Sequence, residues 1–225
     1  MELLRNIPVQ VSSEEVAKAL RIDQTLAKQV HGEDLAKTAN SLVDARAIYT
    51  IGYIHNRSEE ATSIEGATLT SRVLAKNLEK IGRVFPYIVT IGSALEDEAA
   101  THGMLERLFL ENAADIAITL ARVHLEKYVA KKYELGNVSH LGPGQLDWPI
   151  QQQKELFSFF KNAEGSVGVT LTETCMMKPR KSVSGIIFPK EVTFVACQLC
   201  PRENCPSRQA PYSESLRKSH GLDVE

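Results

Sequence analysis

The sequence has almost no surplus of charge: 26 Lys and Arg stand against 28 Asp and Glu, a formal net charge of −2. A chain this close to neutrality presents no broad cationic surface, so nucleic acid is not an expected partner. No stretch approaches the roughly 20 apolar residues that span a bilayer. The opening "MELLRNIPVQVSSEE" also lacks a basic region followed by a sustained apolar one. No membrane association is expected, and the cytoplasm is the expected location. Internal repeats, low-complexity tracts and Gly/Ser-rich linkers are missing as well, which favours one unit over an array of modules. Three parts are distinguished within it: a helical and strand part at 1–90, a ligand-groove part at 91–195 and a cysteine-containing tail at 196–225. Two common signatures fail. "GPGQLD" follows a helical pattern instead of a strand and lacks the third glycine of a dinucleotide fingerprint. "GSVGV" does not fit the G-x-S-x-G pattern of a hydrolase.

Cysteine is scarce, with four in 225 residues, yet three of the four lie in "CQLCPRENC" at 197–205. The two-residue spacing of Cys197 and Cys200 lets neighbouring thiolates converge on one ion, and a turn at Pro201 and Asn204 can return Cys205 to the same point. In a reducing compartment such spacing points to metal or redox chemistry ahead of a structural disulfide. The expectation is a [4Fe-4S] cluster or zinc on Cys197, Cys200 and Cys205, with Cys175 either completing a four-thiolate set or standing apart as a buried thiol.

What is present reads as helices followed by strands. Ser12 and Glu15 make a capping-box pattern before Val16, Ala19 and Leu20. A second amphipathic stretch covers about 33–45. "ARAIYTIGYIHN" and "PYIVTIG" are rich in β-branched and aromatic residues and read as strands. Ser93 and Glu96 repeat the capping pattern. From Phe109, the positions Ala113, Ile116, Ala117, Leu120, Val123 and Tyr128 follow helical spacing toward a cap at Gly136. "VGVTLTETCMMKPRKSVSGIIF" and "EVTFVA" then read as antiparallel strands. The class is α+β, with helices packed on a twisted, mainly antiparallel β-sheet. "HLGPGQLDWP" at 140–149 is the densest turn chemistry in the chain. Glycine lets backbone approach a ligand and proline stiffens the loop, while Trp148 beside Pro149 is expected to pack. "MMKPRKS" at 176–182 is a basic turn whose Lys178, Arg180 and Lys181 are expected to face solvent or an acidic partner surface.

By motif order, "LGPGQLDWPIQQQKELFSFF" followed by "VGVTLTETCMMKPRKSVSGIIF" resembles the activation (reactivation) domain of cobalamin-dependent methionine synthase. That family carries a proline-glycine loop, a further proline, a short helix, an "LTES"-like strand and an "SVSG" strand around a groove for S-adenosylmethionine. Here the counterparts are Pro143-Gly144, Pro149, "LTET" at 171–174 and "SVSG" at 182–185. The resemblance implies a corrinoid-protein activator that uses S-adenosylmethionine for reductive methylation, with cobalamin held in trans by a partner such as a corrinoid-binding protein or a cobalamin-dependent methyltransferase. It implies a ligand site made of His140, Gly142, Pro143, Gly144, Gln145, Asp147, Glu173, Ser182, Ser184 and Gly185. Two positions depart from the pattern. His140 stands where the family usually has arginine, and Gln145 where it has tyrosine. The competing expectation is an iron-sulfur redox or zinc-stapled docking subunit of a corrinoid system without S-adenosylmethionine chemistry.

Overall fold

A computed structural model of the chain describes residues 1–191, 194–205 and 208–222. The chain opens with β1 (Glu2–Leu4) and three helices, α1 (Ser13–Leu20), α2 (Gln24–Gln29) and α3 (Gly32–Leu42). Strands β2 (Arg46–Tyr49) and β3 (Gly52–Arg57) follow, then the hairpin of β4 (Ala61–Ile64) and β5 (Ala67–Thr70), and α4 (Arg72–Asn77). Next come β6 (Arg83–Thr90), α5 (Ala94–Ala99), the long α6 (Met104–Lys132) and β7 (Val138–Leu141). The last part holds α7 (Gln153–Ser158), α8 (Ala163–Val167), the short β8 (Thr170–Leu171) and β9 (Met177–Lys178), β10 (Ser182–Pro189), a 3-10 turn at Ala196–Gln198 and α9 (Glu214–Ser219). Among the described residues no helix is long and apolar enough to cross a membrane.

Eight strands make one antiparallel sheet, with β8 and β9 forming a separate pair. At its centre β6 takes β10 along one edge, pairing Gly185 with Tyr87, and β7 adds outside β10, pairing His140 with Ile187. The other edge of β6 takes β2 along 87–90 and β3 at 83–84, so the segment expected as one strand is a single path bent between its halves. Pro86 sits at that bend, where the ladder is already interrupted and a proline without an N–H is tolerated; its carbonyl still accepts from Thr50 N at 3.0 Å. The β4–β5 hairpin is an addition to the expected strands.

Alternation along these strands sorts the core into two faces. Phe85, Tyr87, Val89, Ala47, Tyr49 and Ile187 meet α6 through its Ala113, Ala117, Ala121, Leu125 and Val129. The small residues on α6 let the helix lie close to the sheet. The opposite face gathers Val84, Leu141, Trp148, Leu156, Ile186 and Phe188, while Ile48 and Ile88 lie under α8.

The local expectations meet mixed outcomes. Ser12 forms its capping box, with Oγ accepting from Glu15 N at 3.2 Å and its own N–H donating to Glu15 Oε2 at 2.9 Å. Ser93 precedes α5 but makes no capping bond, because its backbone is already helical. The helix expected from Phe109 begins five residues earlier, at Met104, and stops at Lys132. Of the expected strand "EVTFVA", Val192 and Thr193 lie outside the described residues and Phe194 is not in a strand; its N–H donates to Ser139 Oγ at 2.6 Å, tying the tail to β7.

Candidate functional site

His140, near the end of β7, faces α6. Arg122 and Glu126 lie one turn apart on that helix and meet it there. Arg122 Nη1 is 3.0 Å from His140 Nδ1, Glu126 Oε1 is 2.8 Å from the same nitrogen, and Arg122 pairs with Glu126. One ring nitrogen can serve one neighbour at a time. With a proton it donates to Glu126; without one it accepts from Arg122. Burial pushes the Glu126 carboxyl up, but hydrogen bonds and charge from His140 and Arg122 outweigh it and hold the carboxyl below its usual range. Beneath them the Tyr87 hydroxyl is pushed well above its usual range by burial, with Arg122 drawing it down and Glu126 pushing it up. The sequence expectation included His140 and missed Arg122 and Glu126. The available signal was an arginine interrupting the small-residue stripe of α6 immediately after Ala121, four positions before an acid.

Past His140 the two strands touch through glycine. A Cβ on Gly142 would fall 2.4 Å from the Ser184 carbonyl oxygen, and one on Gly185 would fall 2.5 Å from that of Leu141. The loop then closes on itself. Gly144, at φ +87, donates to the Trp148 carbonyl at 2.8 Å, Gln145 N donates to the Gly142 carbonyl at 3.1 Å, and Gln145 Oε1 accepts from Gly142 N at 3.0 Å. Asp147 turns to the opposite face, where its carboxylate accepts from Ser71 Oγ at 2.6 Å and Arg72 N at 2.7 Å and so fastens the start of α4. Trp148 is buried as expected, with Nε1 donating to Gln152 Oε1 at 2.8 Å. Gly144 and Gln145 stay exposed, with Pro143 half-buried between them and the strand.

The remaining expected site residues lie elsewhere. Ser182 and Ser184 alternate with Ile186 and therefore point to the sheet face opposite His140. Ser182 Oγ is 2.9 Å from Thr90 Oγ1 and 2.8 Å from the Pro179 carbonyl oxygen, whereas Ser184 Oγ is buried without a hydrogen-bond partner among the described residues. Glu173 is exposed on the turn between β8 and β9; of the expected strand "LTET" only Leu171 is in β8, and the rest is a turn that Thr172 N closes on the Met176 carbonyl at 2.9 Å. The basic turn is docked on its own helices. Arg180 pairs with Glu96 and Glu111, and Lys181 with Asp115. Lys178 is exposed and makes no such pairing among the described residues.

All four cysteines are free. Cys175 is 3% exposed, with Sγ 3.8 Å from the Gln151 carbonyl oxygen, while Cys197, Cys200 and Cys205 are half-buried. Among the described residues no group of three or more His, Cys, Asp or Glu side chains is arranged to hold a metal ion. Of the two alternatives for Cys175, its burial fits the thiol standing apart from the other three.

With this geometry in view, the comparisons with known proteins define a class. Residues 99–206 match the family described as vitamin B12 dependent methionine synthase, activation domain. The crystal structure of the MetH reactivation domain bound to AdoHcy is similar to this chain with a TM-score of 0.58 and 16% identity, over 87% of this chain and 81% of that one. A search of curated proteins finds no match. Residues 99–206 thus carry the match to the activation-domain family, and the chain has the fold of the reactivation domain. The matched segment holds all of α6, the Gly-Pro-Gly loop and β10.

Proposed function

We propose that the chain binds S-adenosylmethionine between α6 and the Gly142–Gln145 loop and supports reductive methylation of a corrinoid cobalt held by a partner protein. The observation that carries this reading is the activation-domain match across α6 and the loop, and the bound AdoHcy of the structural neighbour agrees with it. When bound, S-adenosylmethionine supplies its sulfonium methyl to cobalt while an external donor supplies one electron, leaving S-adenosylhomocysteine. The protein's share is positioning and exclusion of water, and no general acid or base is needed.

The residues present fit such a ligand. The family's arginine is replaced by His140, but the Arg122 guanidinium lies 3.0 Å from the His140 ring. It offers the permanent, forked cation that a ligand carboxylate prefers. Glu126, already ionised in the partnership with Arg122 and His140, is the acceptor suited to the α-ammonium group. Gly142 lets the start of the loop close on the Ser184 carbonyl, Gly144 supplies the positive φ of its turn, and the exposed Gln145 contributes its amide NH2 because its Oε1 is occupied within the loop. Pro143 stiffens the same edge.

Calorimetric titration of the protein with S-adenosylmethionine tests the reading. Saturable one-to-one binding is expected, weakened about tenfold or more in Arg122→Gln. No binding of either S-adenosylmethionine or S-adenosylhomocysteine would remove the methyl-donor role. Binding unchanged in Arg122→Gln would move the site away from α6. The corrinoid partner is tested separately, by co-purification with a cobalamin-loaded protein. An iron-sulfur or zinc centre on Cys197, Cys200 and Cys205 rests on their spacing alone, and metal analysis of anaerobically purified protein decides it.

A further inference from the structure

The cysteine turn is held by hydrogen bonds from protein groups. Leu199 is fully buried and anchors the turn in the core. The Arg217 guanidinium donates to the Leu199 carbonyl at 2.7 Å. Arg208 lies across the turn's concave side, donating to the carbonyls of Cys197 at 3.0 Å, Cys200 at 3.2 Å and Ala210 at 3.2 Å, and to that of Arg202. Its own backbone N–H donates to the Cys205 carbonyl at 3.2 Å. The 3-10 turn at Ala196–Gln198 is carried on by Cys200 N donating to the Cys197 carbonyl at 3.3 Å. In such a turn side chains three residues apart stack over one another, a separation that an S–S bridge spans. One sulfur is also solvated by the backbone, since Gln209 N–H donates to Cys197 Sγ at 3.4 Å.

From this arrangement we infer that Cys197 and Cys200 form a preorganised dithiol that exchanges electrons with an external disulfide. The inference is independent of S-adenosylmethionine binding. Cys197, whose sulfur already accepts from the Gln209 N–H, attacks in its thiolate form. Its sulfur bonds to one sulfur of the external disulfide, whose S–S bond breaks and releases the first thiolate. Cys200 then gives its proton to solvent and attacks the Cys197 sulfur. The mixed disulfide breaks, the second external thiolate leaves, and a Cys197–Cys200 bridge remains. Two electrons pass from the turn to the external disulfide, and the two protons lost by the turn balance those taken up by the released thiols. Arg208 is a positioning residue: it holds the carbonyls of both cysteines and so fixes the backbone that carries the two sulfurs. Cys205 has no part in the exchange, and Cys175 is shielded by burial.

The test incubates the folded protein anaerobically with glutathione disulfide, maps the cysteines by mass spectrometry and measures metal content before and after. Two of the four thiols should be lost as a Cys197–Cys200 bridge, with Cys175 still reduced. Cys200→Ser should stop at a glutathione adduct on Cys197, and Cys205→Ser should behave as the parent. Arg208→Ala should lower the equilibrium constant for bridge closure by about tenfold. One equivalent of zinc or iron that protects all three thiols and is lost in Cys205→Ser would overturn the inference in favour of a metal centre. A bridge that includes Cys205, or glutathione adducts with no bridge at all, would overturn it as well.

Discussion

The Gly-Pro-Gly loop is fastened at its two ends by different physics. Its start, at His140, is held on the α6 face by an ionic cluster in which one ring nitrogen faces both a guanidinium and a carboxylate. Its end, at Asp147 and Trp148, is held on the opposite face by a carboxylate set on a helix start and an indole in the core. The end has no alternative: every group there already has the partner that its burial requires. The start does, because the Arg122, Glu126 and His140 contacts can be redistributed when a charged ligand arrives. On the proposed function the end serves stability and the start recognition, although the segment that matches the activation-domain family runs through both.

Breaking the end should produce the largest loss of stability. Trp148→Ala removes a side chain that is 1% exposed and leaves Gln152 Oε1 without its indole donor. A loss of about 3–5 kcal/mol is expected in denaturant unfolding. A loss below ~1 kcal/mol would mean that the loop's end is not anchored as described. Asp147→Ala should follow, at about 2 kcal/mol, since it strips an acceptor from both the Ser71 hydroxyl and the Arg72 amide. Asp147→Asn should recover part of that loss, because one amide oxygen can still accept. If either Asp147 variant unfolded as the parent but lost S-adenosylmethionine binding, Asp147 would belong with the recognition end, and the comparison would fail there.

The same contrast separates what the sequence makes legible from what it hides. The Ser12–Glu15 cap, the apolar stripe of α6 from Phe109 and the burial of Trp148 are local properties, set by spacing and by side-chain size, and they were readable. The role of Asp147 was not, because its partner Ser71 lies 76 residues away and nothing in "QLDWP" marks a bond across that distance. The site at His140 is hidden for the same reason: its cation and carboxylate come from a helix 18 and 14 residues upstream. Motif order set the loop beside "SVSG", but the stretch read as loop from His140 begins inside β7, so "GPGQLD" follows a strand and not the expected helix. It could not show that Ser182 and Ser184, two residues apart on a strand, share the face that His140 avoids. That depends on register, and a slip of one residue would have reversed it.

The recognition end should give the smallest change in stability and the clearest dependence on pH. Glu126 holds its proton less tightly in the folded protein than in the unfolded chain, because His140 and Arg122 more than offset the effect of burial. Between the lowered folded-state value and the ordinary glutamate range, the unfolded chain therefore binds more protons than the folded one. Stability must rise with pH through that window, be fully present above it and be lost as the pH falls through the folded-state value. Glu126→Gln keeps an oxygen for the Arg122 guanidinium and removes the charge, so it should cost only about 1 kcal/mol near neutrality. The gap between parent and variant should close in acid, where the parent's carboxyl is protonated too. Urea unfolding of both proteins across the acid range measures this gap directly. Two parallel stability curves would show that Glu126 does not carry the charge of the cluster, and would leave Arg122 without the counter-ion that keeps it in place beside His140.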